Sequence, residues 1–431
     1  MTTRSLQLSH RLAWLGTFVV FAAMFAVPSG YSYGGVFLLL GALLYLAQRP
    51  DLSPLDRDDR AMVAVLLAYG VVPSFMTWLL GNNPSDYDQY SRSLLALPIF
   101  LALCFVRVPL PVFFGGTALG IVLAAPLAWW QVNVQGMERA GGFLNMIHFG
   151  NLSLVFMFFC IAGFWWAPTQ GRFASRWKAA FLLGCVCGLY GVIMSGSRGS
   201  WIAVPPVVIL LLAAFLGRHN ARRIIFALLL GMLAIAALFA RPDSFLRARY
   251  DRGVENLTQY QQGDTNTSVG ARFEMWRGAW ANLRMHPVSG WNVAEYTEAL
   301  ERQVDAGTLT RTALRFNDNL HNNYLQAWVF TGLPGLLALL ALYAMPFWHF
   351  VRRLRDADMT VRVLAFCGTS LVASYICFSL TQVILRRNNG IMFYLLAVII
   401  LWGAMRHARL GSPALATPVS ASAQTISTTV E

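Results

Sequence analysis

The sequence predicts an all-α integral membrane protein of about twelve transmembrane helices, with one large loop on the outer side of the membrane. Three observations carry that expectation. The 431 residues are 57% hydrophobic and only 12% charged, against about 45–50% and 25% in a soluble domain. Apolar runs of near-spanning length recur along the whole chain, so they are expected to pack as one helical unit. Residues 241–321 alone break the pattern, with a polar stretch rich in arginine and aromatic residues.

The apolar runs cover 12–27, 31–47, 61–80, 93–106, 109–130, 146–167, 179–194, 201–217, 223–240, 323–350, 361–384 and 391–405. The fourth and the last are short for the roughly 17–25 residues a span needs. The first follows Arg4 and Arg11 as a signal peptide would, but Val27-Pro28-Ser29-Gly30 is a poor cleavage site, so it is kept as a span. Pro205-Pro206 early in the eighth run predicts a kink rather than a boundary. After Arg409 the chain is Ser, Thr, Ala and Pro with almost no charge, and 406–431 is expected to be a disordered inner tail. The expected order is therefore 1–240 with nine spans, 241–321 as the outer loop, 322–405 with three spans, and the tail. All six cysteines fall inside apolar runs, which gives no disulfide framework; Cys185 and Cys187 lack histidine or carboxylate company and read as small packing residues.

Orientation follows from the basic residues, which short inner loops retain. With the N-terminus inside, inner segments carry 18 of the 33 Lys and Arg residues, and the short outer loops carry only Arg92, Arg139, Arg198, Arg386 and Arg387. The other ten lie in the long stretch, which crosses regardless of charge. Both termini are thus expected inside and the long stretch outside. The net charge of +13 is this sidedness, with no call for nucleic acid. All the basic residues but Lys178 are arginine, whose planar fork suits phosphate.

On the outer side, Arg198 sits in the tight turn Ser195-Gly196-Ser197-Arg198-Gly199-Ser200, where small neighbours let a large anion approach the backbone. Phe273, Trp276, Trp280 and Leu283 recur at helical spacing, which predicts an amphipathic helix on the membrane surface, flanked by Arg272 and Arg277. The stretch closes on Asn317-Asp318-Asn319-Leu320-His321-Asn322, placing His321 in the first turn of the tenth span with Asn317 or Asn319 as its cap. The positive end of a helix keeps such a histidine neutral and able to accept a proton. His148 and His286 are its outer rivals. Arg277, Arg386 and Arg387 are further substrate-binding candidates by charge and side, with Asn322 beside the histidine. Asp86-Tyr87-Asp88 is the one outer acidic pair that could hold a divalent metal, but no metal is expected. Arginines and a neutral histidine facing a membrane suit group transfer from a lipid diphosphate, whose leaving charge bidentate arginine stabilises.

The run of spans, the large outer loop before a late span, the Ser-X-Ser-Arg-Gly turn, the arginine-aromatic helix, Pro287-X-X-Gly290 and His321-Asn322-X-X-Leu325 together resemble the O-antigen ligase and polymerase superfamily. Gly290-Trp291-Asn292 departs from the Gly-X-Gly of many members. The resemblance implies inverting, metal-independent transfer of a glycan from undecaprenyl diphosphate, without a cofactor, at the periplasmic face of a bacterial inner membrane. In the ligase branch the acceptor is a sugar hydroxyl of lipid A-core. Arg198 and Arg272 match the family's arginines and would hold the diphosphate; His321 matches its histidine and would activate the acceptor. The superfamily also includes polymerases and protein O-oligosaccharyltransferases. A lipid-linked glycan transporter, from another class, would carry ionisable groups at mid-span on several helices, and almost none is found.

Overall fold

The apolar runs fold as helices in the computed structural model, which describes residues 3–241, 244–316 and 318–411; no strand occurs among them. In chain order the α-helices are α1 Thr3–Ala22, α2 Gly30–Leu46, α3 Arg57–Leu79, α4 Tyr87–Leu103, α5 Leu110–Asn133, α6 Met146–Trp166, α7 Ala174–Ser195, α8 Arg198–Trp201, α9 Val204–Phe215, α10 Ala221–Ala240, α11 Phe245–Gln261, α12 Ser268–Leu283, α13 Val293–Asp305, α14 Asn323–Val351, α15 Met359–Ser379 and α16 Asn388–Leu410. Each of the twelve apolar runs falls on a helical region. Seven stretches among the described residues are long and apolar enough to cross a membrane, and the shorter α2 is apolar too. One of the seven, Met146–Ser195, is the antiparallel pair α6 and α7, turned at Gly171. Small residues close this pair: Gly163 faces Phe181, and Gly184 faces Cys160. That is how helices approach where lipid removes the hydrophobic drive to associate.

The centre of the bundle is α6, α15 and α16, whose side chains are buried nearly all round. Phe21, Phe113, Phe156 and Phe393 meet there, Phe21 edge to face with Phe113 and Phe393 and Phe156 stacked on Phe393, arrangements that ring quadrupoles favour. Helix α10 turns Phe226, Leu229 and Leu233 outward, as a surface in contact with lipid would.

Two expectations about boundaries are corrected here. Pro205 and Pro206 do not kink a helix; they open α9, where missing N–H groups cost nothing. Residues 406–410 do not begin a loose tail but continue α16, because Arg406 Nε donates to the buried Asp59 carboxylate at 2.9 Å and Trp402 Nε1 donates to it at 2.8 Å. Residues 412–431, the rest of the expected tail, lie outside the described residues.

The long polar stretch forms a second, smaller core from α12, α13 and the N-terminal end of α14, around Met275, Ala279, Leu283, Trp291, Tyr296, Leu300 and Val329. Helix α12 therefore does not lie flat on its aromatic face. It buries the opposite face, Ala271, Glu274, Met275, Ala279 and Asn282, and Leu283 belongs to that buried side. Phe273 and Trp276 are half-buried, and Trp280 is exposed against Trp328 of α14. The small core is stitched to α14 by backbone. At Gly332 (φ 65°, ψ −174°) α14 breaks, Leu333 N donates to Val288 O, and Trp291 N donates to Val329 O. A Cβ on Gly290 would come within 2.6 Å of Gly332 N, so both glycines are needed where the two chains pass.

Candidate active site

The turn after α7 is set by Gly196 in the left-handed region (φ 58°), which ends the helix and starts the chain toward Arg198. Arg139 Nε donates to Ser195 O at 2.6 Å, tying the loop after α5 to this turn. Helix α11 presents Arg249, Arg252 and Asn256 along one face, with Gly253 between them leaving room for the Arg198 guanidinium. Arg272, near the start of α12, closes the fourth side. The result is one cavity of about 560 Å³ lined by Arg139, Arg198, Arg249, Arg252 and Arg272, with Thr381 on its wall. The exposed Glu138 pairs with Arg249 at 3.1 Å and Arg252 at 2.7 Å.

Five guanidinium groups around one space repel one another. Burial, with Arg249 adding to it, pushes the Arg139 pKa down to about 10. Burial and then Arg252 lower that of Arg249, and burial and then Arg198 lower that of Arg272. A guanidinium group keeps its charge in proteins, so the cavity holds cations at an electrostatic cost that a polyanion would relieve.

His321 stands beside this cavity. It lies ahead of α14 rather than in its first turn, and its backbone is left-handed (φ 48°), a conformation that costs a non-glycine residue about 1–3 kcal/mol. The cap of α14 is Asn322, whose side-chain oxygen accepts from Tyr324 N and Leu325 N. Asn319 instead accepts from His321 N at 3.1 Å, and Asn317 lies outside the described residues. The strained segment is held from both sides: Trp276 Nε1 donates to Leu320 O, and Gln326 accepts from Leu320 N and donates to Asp318 O. The imidazole Nδ1 meets the Oε1 of buried Gln382 at 3.0 Å. An acceptor there puts the ring proton on Nδ1 and leaves proton acceptance to Nε2. Burial lowers the histidine pKa; the Gln382 bond opposes this and Arg272 adds to it. His321 is therefore neutral at pH 7.

The structure thus brings Arg198, Arg272 and His321 together, and it gives other predicted residues different work. Arg277 is bound to the buried Glu274 carboxylate at 2.6 Å and to Thr308 O, so it braces the small core. Arg386 donates to the Asp318 carboxylate at 2.9 Å and to its carbonyl, anchoring the histidine segment. Arg387 is exposed at the start of α16, outside the arginine cavity. Asp88 is paired with Arg92, and Asp86 lies 3.8 Å from Arg386. Of the rival histidines, His148 is fully buried with Nδ1 2.7 Å from Asn389 Oδ1, and His286 packs its ring edge-on to Trp291. Sequence reasoning passed over Arg139, Arg249, Arg252 and Gln382. The arginines had a signal in their expected outer side and the i, i+3 spacing of 249 and 252; Gln382 had none.

Residues 183–340 match the O-antigen ligase family, a segment that contains Arg198, Arg249, Arg252, Arg272 and His321 but neither Arg139 nor Gln382. Over 388 residues the chain is 26% identical to an uncharacterized protein of Haemophilus influenzae, covering 88% of this chain and 94% of that one. Over 194 residues it is 26% identical to the O-antigen ligase of Escherichia coli, covering 44% of this chain and 45% of the relative. With its apolar helices and its arginine-histidine site inside the matched segment, the chain is similar over residues 183–340 to the O-antigen ligase family.

Proposed function

We propose that this protein is an inverting glycosyltransferase that moves a glycan from undecaprenyl diphosphate to a sugar hydroxyl of lipid A-core. It would span a bacterial inner membrane about twelve times with both termini in the cytoplasm, and act at the periplasmic face. The observation that carries this is the cavity of five arginines with a neutral histidine at its edge. The diphosphate sits among the arginines. Nε2 of His321 takes the proton of the acceptor hydroxyl as its oxygen bonds to the anomeric carbon. The bond from that carbon to the diphosphate oxygen breaks, and its electron pair goes to the diphosphate, where Arg198 and Arg272 meet the developing charge. Attack opposite the leaving group inverts the centre. The guanidinium groups supply the charge stabilisation that a divalent ion gives in other transferases.

The test is purified protein given a polyprenyl-diphosphate glycan with lipid A-core, a second glycan, or a peptide, and products weighed by mass spectrometry. Transfer to lipid A-core, undiminished by chelator and abolished in a folded His321→Ala variant, is expected. Transfer only to the second glycan or the peptide would replace the acceptor assignment. Near-normal transfer by His321→Ala would remove the base.

A further inference from the structure

A second cavity, of about 340 Å³, borders the histidine segment at Asp318, within the roughly 300–1,000 Å³ range of small-molecule sites. Its walls are the turn between α3 and α4, with Asn83, Ser85 and Asp86, the first turn of α4 with Gln89, and the anchored pair Asp318 and Arg386. The two cavities have opposite chemistry. The first is lined by five cations; the second holds two carboxylates and one guanidinium among neutral hydrogen-bonding side chains. Burial raises the Asp86 pKa, with Arg386 opposing and Asp318 adding, so the site does not favour added negative charge. Tyr90 and Phe330 supply ring surface beside the polar groups. Amides, a hydroxyl and a carboxylate beside aromatic carbon match a polyhydroxylated, uncharged ring.

The connector between α15 and α16 joins the two. Thr381 lines the arginine cavity, Gln382 holds His321, and Arg386 lines the polar cavity. Phosphate site, base and polar site thus follow one another along six residues. An inverting displacement needs that order, because the attacking hydroxyl must approach from the side opposite the leaving diphosphate.

We infer that the cavity over Asn83, Asp86, Gln89 and Arg386 binds the uncharged sugar rings of the acceptor and presents their hydroxyl to His321. This rests on the transferase reading above. The test compares wild type with Gln89→Ala, Asp86→Asn and a plug, Ser85→Trp, varying acceptor and donor in turn. The acceptor KM is expected to rise tenfold or more, with the donor KM unchanged, and titration of the His321→Ala protein with acceptor oligosaccharide alone is expected to lose binding when Ser85→Trp is added. Wild-type turnover with acceptor KM unaltered in all three variants would overturn the assignment while leaving the transferase reading intact. A raised donor KM would move the cavity to the donor glycan and overturn it as well. No wild-type transfer to any acceptor sinks the transferase reading itself, and oligosaccharide binding that the plug does not weaken would overturn the cavity independently of turnover.

Discussion

His321 meets three conditions of a general base: it is neutral, its Nδ1 is fixed by an acceptor, and its backbone is held in a strained conformation by neighbours on both sides. Its lowered pKa puts the acid limb of kcat/KM below the roughly 6.5 of an ordinary histidine. Activity should persist as the pH falls through that value and fail only below it. Gln382→Glu replaces a neutral acceptor by a carboxylate, which favours imidazolium and raises the histidine pKa. Its acid limb should move up, so that activity is lost at a higher pH than in wild type, while a Gln382→Ala variant loses rate without that upward move. An unmoved limb in Gln382→Glu would show that Gln382 does not touch the base. The histidine was legible in sequence because it closes a polar stretch at a helix entrance. Gln382 was not, because a glutamine at the end of an apolar run carries no charge or periodicity, and only the fold sets it 3.0 Å from the imidazole.

Elements explain why some arginines became site residues and others braces. Charge and sidedness treat Arg277, Arg386 and Arg249 alike, but the buried Glu274 claims Arg277, Asp318 claims Arg386, and α11 turns Arg249 into the cavity. Helix α12 was legible as a helix, with Arg272 on its flank. Its burial was read backwards because the aromatic face looked like the anchoring one, whereas the small-residue face allows close approach to α13: a Cβ on Gly278 would meet Leu300. On α11 the same logic makes Gly253 a gauge of the site, since it abuts the Arg198 guanidinium. Gly253→Val should displace that flexible side chain at little cost to the fold. The expected result is a donor KM raised about tenfold or more, with thermal unfolding in detergent close to wild type and acceptor KM unchanged. Wild-type donor KM would place the Arg198 guanidinium away from the diphosphate.

At the scale of the whole molecule, the arginine cavity, the histidine and the polar cavity all sit at one end of the bundle, with the small core of α12 and α13 beside them. The opposite end carries the clasp of Asp58 and Asp59 with His349, Arg352 and Arg406. On the count of basic residues that clasp end is expected in the cytoplasm and the site end outside. Single-cysteine labelling can read this directly, because the six native cysteines are free, and each is buried or half-buried within the apolar bundle. Glu298→Cys on the exposed side of α13 and Arg57→Cys at the start of α3 report the two ends. A membrane-impermeant maleimide applied to spheroplasts should label Glu298→Cys at once and Arg57→Cys only after lysis. The reverse pattern would invert the protein. It would put five arginines on the side where retained basic residues are ordinary, and the charge of the cavity would then no longer separate a substrate site from loop retention.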